Sequence, residues 1–338
     1  MPTYRDAGVD LDAAAALVAR IKPLVTSTWH PGVVGGFGGF AGGIAVPSGY
    51  RHPILMLSTD GVGTKAELAR VTGRLDGLGR DLVAMCIDDL VAVGARPIAL
   101  TDYVAVGRLD LDSVERIVGG VAAACSEAEV ALLGGETAEH PGVMGADELD
   151  LAGTALGVVE AGAEIDGSAI RPGDVLIGID SPNVRCNGFS LVRQIVRHGL
   201  SLEEPLPSFD EPAAAVLLEP SVLYAPTVLA VLESVEVHGS AHITGGGLGG
   251  NVSRILPHDC DAIIDSATWR VPAVFSALEE LGQVPGEDMW RTFNMGVGFV
   301  LALDPDDVAT TLRVVNAGVR DAAVIGEVFP GSGRALVH

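Results

Sequence analysis

The sequence predicts an α/β chain of two domains, on three observations. Its 338 residues suit two domains or one large one. Short apolar runs bounded by glycine alternate with patterns of helical period. Around Asp166 to Asp174 the chain passes Gly167, Pro172 and Gly173 before a new apolar run opens at Val175. The expected domains are therefore residues 1–165 and 166–338.

The elements follow in order. Leu11 to Val25 carries Leu17, Val18, Ile21 and Leu24 at helical spacing, with Asp10 and Asp12 at the end where carboxylates oppose the helix dipole. Residues 31–50 hold eight glycines and two prolines, a loop rather than a membrane helix. Pro53 to Leu57 reads as a strand running into Asp60, Asp81 to Val93 as a buried helix closed by Gly94, and Ile98 to Tyr103 as a strand. Ser113 to Glu127 reads as a helix and Val130 to Leu133 as a strand entering Gly134, Gly135 and Glu136. In the second half, a strand at Val175 to Ile179, helices near Phe189 to Arg197 and Thr227 to Ser234, a proline-rich connector from Pro205 to Pro212 and a strand at Ala241 to Thr244 repeat the rhythm.

Composition narrows the function. A formal charge of −23 argues against nucleic-acid or anionic-membrane surfaces, where clustered cations supply most of the affinity. Cys86, Cys125, Cys186 and Cys260 are widely spaced, which indicates neither a disulfide framework nor a zinc site and favours the cytoplasm. Met1 to Asp12 is charged and lacks an apolar run, so no signal peptide is expected.

Several residues are placed to do chemistry. Asp89 falls on the stripe of Leu82, Met85, Cys86 and Val93, whereas Asp88 points about 100° away. A carboxylate on an apolar stripe is protonated, ion-paired, capping a backbone group or bound to a metal, and a structural ion pair competes with the ligand role. Asp60 and Glu136 stand where strands end, and these acids, with Asp88, are the candidate Mg²⁺ ligands. Gly35, Gly36, Gly38 and Gly39 offer unhindered backbone N–H groups to an anion. Lys22 and Lys65 are the chain's two lysines against nineteen arginines, compact cations suited to phosphate. Gly245 to Gly250 formally satisfies a dinucleotide-binding glycine pattern after a strand, which supports a rival reading as an oxidoreductase. A P-loop is excluded, because Lys65 follows Thr64 instead of preceding it. His140 and His242 are the histidines best placed for function, each weighed against an ordinary structural role.

The assembled segments resemble the aminoimidazole ribonucleotide synthetase (phosphoribosylformylglycinamidine cyclo-ligase) family. They are GGFGGF at 35–40, STDGVGTK at 58–65, DLVAMCIDDLVAVGARP at 81–97, LLGGETAEHPG at 132–142, HITGGG at 242–247 and RTFNMGVGF at 291–299, in a likeness that runs from Tyr4-Arg5-Asp6 to about Gly326. The resemblance implies two related α+β domains with mixed sheets packed by helices, a homodimer, and ATP and Mg²⁺ as cofactors with K⁺ as a candidate monovalent ion. It implies ring closure of formylglycinamidine ribonucleotide: ATP phosphorylates an amide oxygen, an amine attacks the activated carbon, and phosphate leaves. Lys22, Asp60, Asp89 and Glu136 become the catalytic candidates. Gly35, Gly36, Gly38, Gly39, Asp60, Gly61, Lys65, Asp89, Asp102, Glu136 and Thr137 would bind ATP. Arg185, Asn187, Gly188, His242, Thr244, Gly245, Gly246 and Gly247 would face the substrate, and Asp60, Asp88, Asp89 and Glu136 the metal.

The chain departs from the family pattern in places. Arg185 stands where a histidine is expected, Asp88 for an Asn, His140 for a Met, Val222 for an Arg or Lys, and Gly250 for a Glu. A guanidinium cannot exchange a proton near neutral pH as imidazole does. These departures motivate a second reading, a paralogue that activates another amide or carboxylate with Arg185 pairing its anion. A non-catalytic nucleotide-binding subunit is the remaining alternative.

Overall fold

The computed structural model describes residues 3, 4, 6–318 and 320–338, and every count below is of these residues; Met1, Pro2, Arg5 and Val319 lie outside them. The chain divides into two units, Met1–Leu90 with Arg96–Ala161, and Gly162–His338 with the short segment Val91–Ala95.

The first unit begins with α1 (Leu11–Thr26), whose N-cap Asp10 accepts from the amides of Asp12 and Ala13. A small hairpin, β1 (Val33–Val34) and β2 (Gly43–Ile44), lies within the segment expected to be loop and holds the glycine run at its tip. Then come β3 (Pro53–Gly61), α2 (Lys65–Thr72), α3 (Leu78–Ala92), β4 (Arg96–Val106), α4 (Leu111–Glu127), β5 (Ala131–Glu139) and β6 (Leu149–Glu160). The four long strands form a sheet in the order β3-β6-β4-β5, antiparallel except for the parallel pair β4 and β5. One row across it reads Asp60, Gly153, Asp102, Gly135; the next reads Gly61, Ala152, Tyr103, Glu136. The first row faces α3, because a side chain at Gly153 would meet Cys86 and Leu82.

Helix α3 is buried on all sides: Leu82, Val83, Cys86, Ile87 and Val91 are fully enclosed. A helix with no solvent face has no informative stripe. The expected orientation of its acids is accordingly reversed, with Asp88 fully buried and Asp89 partly exposed. Strands β3 and β5 also run further than expected, so Asp60 and Glu136 lie inside strands, not beyond their ends.

The second unit contains β7 (Val175–Asp180), α5 (Phe189–Arg197), α6 (Ala213–Leu217), α7 (Ala225–Leu232), β8 (Gly239–His242), α8 (Gly247–Ser253), β9 (Cys260–Ile264), α9 (Ala273–Gly282), α10 (Gly286–Thr292), β10 (Val297–Leu303), α11 (Val308–Ala317), β11 (Ala322–Pro330) and β12 (Ala335–Val337). Its sheet has the order β12-β9-β11-β7-β10-β8, antiparallel except for β12 against β9. Since β10 is antiparallel to both β7 and β8, those two strands run the same way and release their following loops at one end of the sheet. This topology overturns the dinucleotide reading of Gly245 to Gly250, which needs a parallel βαβ unit: β8 is an edge strand paired antiparallel to β10.

Candidate active site

In the first unit a cavity of about 600 Å³ opens between α1, the glycine hairpin, α4 and the β4–β5 edge, a volume ordinary for a small-ligand site. Leu17, Val18, Ile21 and Val25 of α1, with Val118 and Leu133, make an aliphatic wall. Opposite stand Gly36, Gly38 and Gly39 of the hairpin tip and Asp102, Gly135, Glu136 and Thr137 of the sheet. The pattern suits a ligand with an apolar ring and a polar tail.

Asp102 is the most perturbed group there. Its Oδ2 is buried without a hydrogen-bond partner among the described residues, and burial pushes its carboxyl up to about 7. Gly135 makes room for it, since a Cβ at that position would lie 1.5 Å from Asp102 Oδ1.

The expected four-acid metal cluster is not assembled within the chain. Asp60 and Glu136 sit on opposite edge strands, three strand spacings or about 14 Å apart, and in rows that face opposite sides of the sheet. No three His, Cys, Asp or Glu side chains among the described residues are grouped to hold a metal ion. Asp60 and Asp89 do share a neighbourhood: the Ser58 hydroxyl donates to Asp89 Oδ2 at 3.4 Å, and the Gly61 amide to Asp60 Oδ1 at 2.7 Å. Burial, with the charges of Asp60, Asp89 and Asp88 added, holds the Cys86 thiol up at about 12, which marks all three acids as its neighbours.

The two lysines part company. Lys22 is exposed on α1, one residue after the cavity-lining Ile21. Lys65 is completely buried and ion-paired to Asp81, 2.7 Å away, so it is a structural cation of the α2–α3 packing and not the phosphate ligand expected. His140 accepts or donates a 3.0 Å hydrogen bond with the Tyr103 hydroxyl.

In the second unit, the loop after β7 carries Asn187 and Gly188, and the loop after β8 carries Thr244 to Gly247. The structure brings these together: Asn187 Oδ1 lies 3.6 Å from where a Gly245 side chain would begin. His242 is buried and stacks on Phe299, at 6.2 Å between ring centroids. Arg185 is fully buried beneath this surface, its guanidinium 4.6 Å from the Tyr224 ring centre, and so does not present a charge to a substrate as expected. Val222 is likewise buried. Asn251 went unnoticed in the sequence. Its amide donates to the carbonyls of Thr244, Gly245 and Gly247, at 3.2, 3.3 and 2.8 Å, and so holds the triple-glycine loop closed. The available signal was its place four residues after the last of the three glycines.

Comparison with known proteins agrees with both units. Family models described as AIR synthase related protein match residues 49–159 (N-terminal domain) and 171–338 (C-terminal domain). Phosphoribosylformylglycinamidine cyclo-ligase from Coxiella burnetii is 47% identical over 98% of this chain and 94% of its own length. The protein of that name from Myxococcus xanthus is 44% identical, covering 98% and 97%. Among solved structures, hydrogenase maturation protein HypE in complex with ATP superposes with a TM-score of 0.71 at 21% identity, covering 98% and 93%. Thiamine-monophosphate kinase from Stenotrophomonas maltophilia gives 0.70 at 18%, covering 97% and 96%, and these two likenesses speak to the fold alone. With relatives this similar along almost its whole length, and both domain models matched, the chain belongs to the phosphoribosylformylglycinamidine cyclo-ligase family.

Proposed function

We propose that the chain is an ATP-dependent cyclo-ligase that converts formylglycinamidine ribonucleotide to 5-aminoimidazole ribonucleotide, ADP and phosphate. The observation that carries this reading is the near full-length identity of 44–47% to cyclo-ligases, joined to a cavity shaped for a nucleotide. The purine ring would lie on the aliphatic wall of α1, and the triphosphate against the hairpin glycines, whose amides are not screened by side chains.

The residues fit Mg²⁺ carried in with the nucleotide. That ion takes one or two carboxylates and fills its shell with phosphate oxygens and water. Asp102, with its buried and unpartnered oxygen, lines the cavity and would hold it, while Glu136 stands one row on, where side chains face the other side of the sheet. When bound, Mg²⁺ neutralises charge on the transferring phosphoryl group. The protein's own part is alignment. The formyl amide oxygen takes the terminal phosphoryl group as the bond to ADP breaks; the amine nitrogen then attacks the activated carbon and phosphate departs. An amide oxygen is a poor leaving group and its phosphate ester a good one, which is why ATP is consumed.

A homodimer completes the reading. The outward face of the first sheet exposes Leu55 and Leu57, 52% and 71% accessible, and further along the same face Tyr103. A second copy covering that face would remove an apolar patch from water. The buried free cysteines suit the reducing cytoplasm, and among the described residues no helix is long and apolar enough to cross a membrane. Turnover of formylglycinamidine ribonucleotide with ATP and Mg²⁺ tests the assignment: stoichiometric ADP and aminoimidazole product are expected, and their absence defeats it. Leu57→Glu should shift the sedimentation coefficient from dimer to monomer; an unchanged value would reject the dimer face.

A further inference from the structure

The loop between β7 and α5 bends at a residue with an unfavourable backbone. Arg185 adopts φ +60, a left-handed conformation that a side chain normally disfavours. Several contacts impose it. Asn183 Oδ1 accepts from the Arg185 amide at 3.0 Å, while the Asn183 side-chain amide donates to the Pro220 carbonyl at 2.9 Å. The Asn183 carbonyl in turn accepts from Ser181 Oγ and from the Asn294 amide, at 3.1 and 2.9 Å.

The side chain closes a second circuit. The guanidinium lies over the Tyr224 ring at 4.6 Å, and the Tyr224 hydroxyl donates to the carbonyl of Asp180 at 2.7 Å, the residue from which the loop departs. Gly298 on β10 leaves space for that hydroxyl, because a Cβ there would sit 1.9 Å from it. Strand end, tyrosine and arginine thus form a ring of constraints around the bend, two residues before Asn187 is set against Gly245. The cation is permanent, so the clamp does not loosen with pH in the range where a histidine would titrate.

We infer that Arg185 is a positioning residue: stacked on Tyr224, it fixes the turn that places Asn187 and Gly188 for the acceptor substrate. The inference rests on the cyclo-ligase reading for its substrate, but its geometry can be tested without turnover.

Hydrogen exchange of residues 183–188 in the intact protein is compared for wild type, Arg185→Lys and Tyr224→Phe. Both variants should exchange faster in this loop while exchange in β7 and β10 stays unchanged. In steady-state assays Arg185→Lys should raise KM for formylglycinamidine ribonucleotide about tenfold with KM for ATP little altered, the signature of a misplaced acceptor. Arg185→His should make the acceptor KM pH-dependent near 6.5, rising as the imidazole loses its proton, because the clamp's cation is then no longer permanent. Unaltered exchange in both variants, or an unaltered acceptor KM in Arg185→Lys, overturns the inference. Tyr224→Phe keeps the ring and removes only the hydroxyl, so it remains informative if Arg185→Lys does not fold. Should the wild type lack cyclo-ligase turnover, the function fails, while the exchange data still decide the clamp.

Discussion

The chain builds two glycine loops, and it treats them in opposite ways. At the hairpin tip, side chains added at Gly35, Gly36 or Gly38 would meet nothing within 4 Å. At the triple-glycine loop, Asn251 draws in three carbonyls, and a side chain on Gly247 would fall 1.9 Å from the Trp290 carbonyl. The first loop has room to adjust to an incoming triphosphate; the second is already fixed before any ligand arrives. Ordering costs are therefore deferred to binding in one unit and met during folding in the other.

The contrast can be broken most severely at Asn251. Replacement by Ala leaves three carbonyls without their donor and should lower kcat/KM about 100-fold, with KM for ATP nearly unchanged. Comparison of both substrates' kinetics checks this.

Asp102→Asn should act on the nucleotide side, raising KM for ATP about tenfold by weakening charge-assisted contacts. It carries a stability signature as well. Burial raises the Asp102 carboxyl from 3.8 to about 7, so the native state binds the proton more tightly than the unfolded chain does. Its favourable contribution is complete below about 4 and is lost as pH rises through about 7. Thermal melts of the ligand-free protein from pH 4 to pH 8 should thus fall more steeply for wild type than for Asp102→Asn, and Mg²⁺-ATP should narrow the gap.

The smallest effect is expected at the open loop. Gly38 has φ +86, so Gly38→Ala strains the backbone by about 1 kcal/mol without a clash and should change KM for ATP only a few-fold. An effect as large as that of Asn251→Ala would abolish the distinction between the loops.

How much of this was legible depended on locality. The helix at Phe189–Arg197 and the capped helix at Leu11 were readable because capping and periodicity are properties of neighbouring residues. Asp88 and Asp89 were misassigned because α3 is enclosed on every side and its stripe carries no direction. Lys65 and Asp81 stand sixteen residues apart, and their pairing depends on how α2 and α3 pack. The proposed union of Asp60 with Glu136 failed for a related reason: strand ends suggest a site, but the order β3-β6-β4-β5 decides which ends are neighbours. The glycine loops were legible in the residues themselves, whereas Asp102 was named through the family likeness alone. That likeness did not indicate that Arg185 would turn inward, which depends on Tyr224 and Gly298 far along the chain.

The pairing of Asp102 with Gly135 also constrains the order in which this site can change over generations. An alanine at Gly135 collides with the carboxylate and would also fall 2.7 Å from the Asp102 backbone carbonyl, a contact that a shorter residue 102 does not relieve. The dependence therefore runs one way: residue 135 is held to glycine by the neighbouring backbone whether or not a lineage keeps the aspartate, while residue 102 can vary against an unchanged glycine.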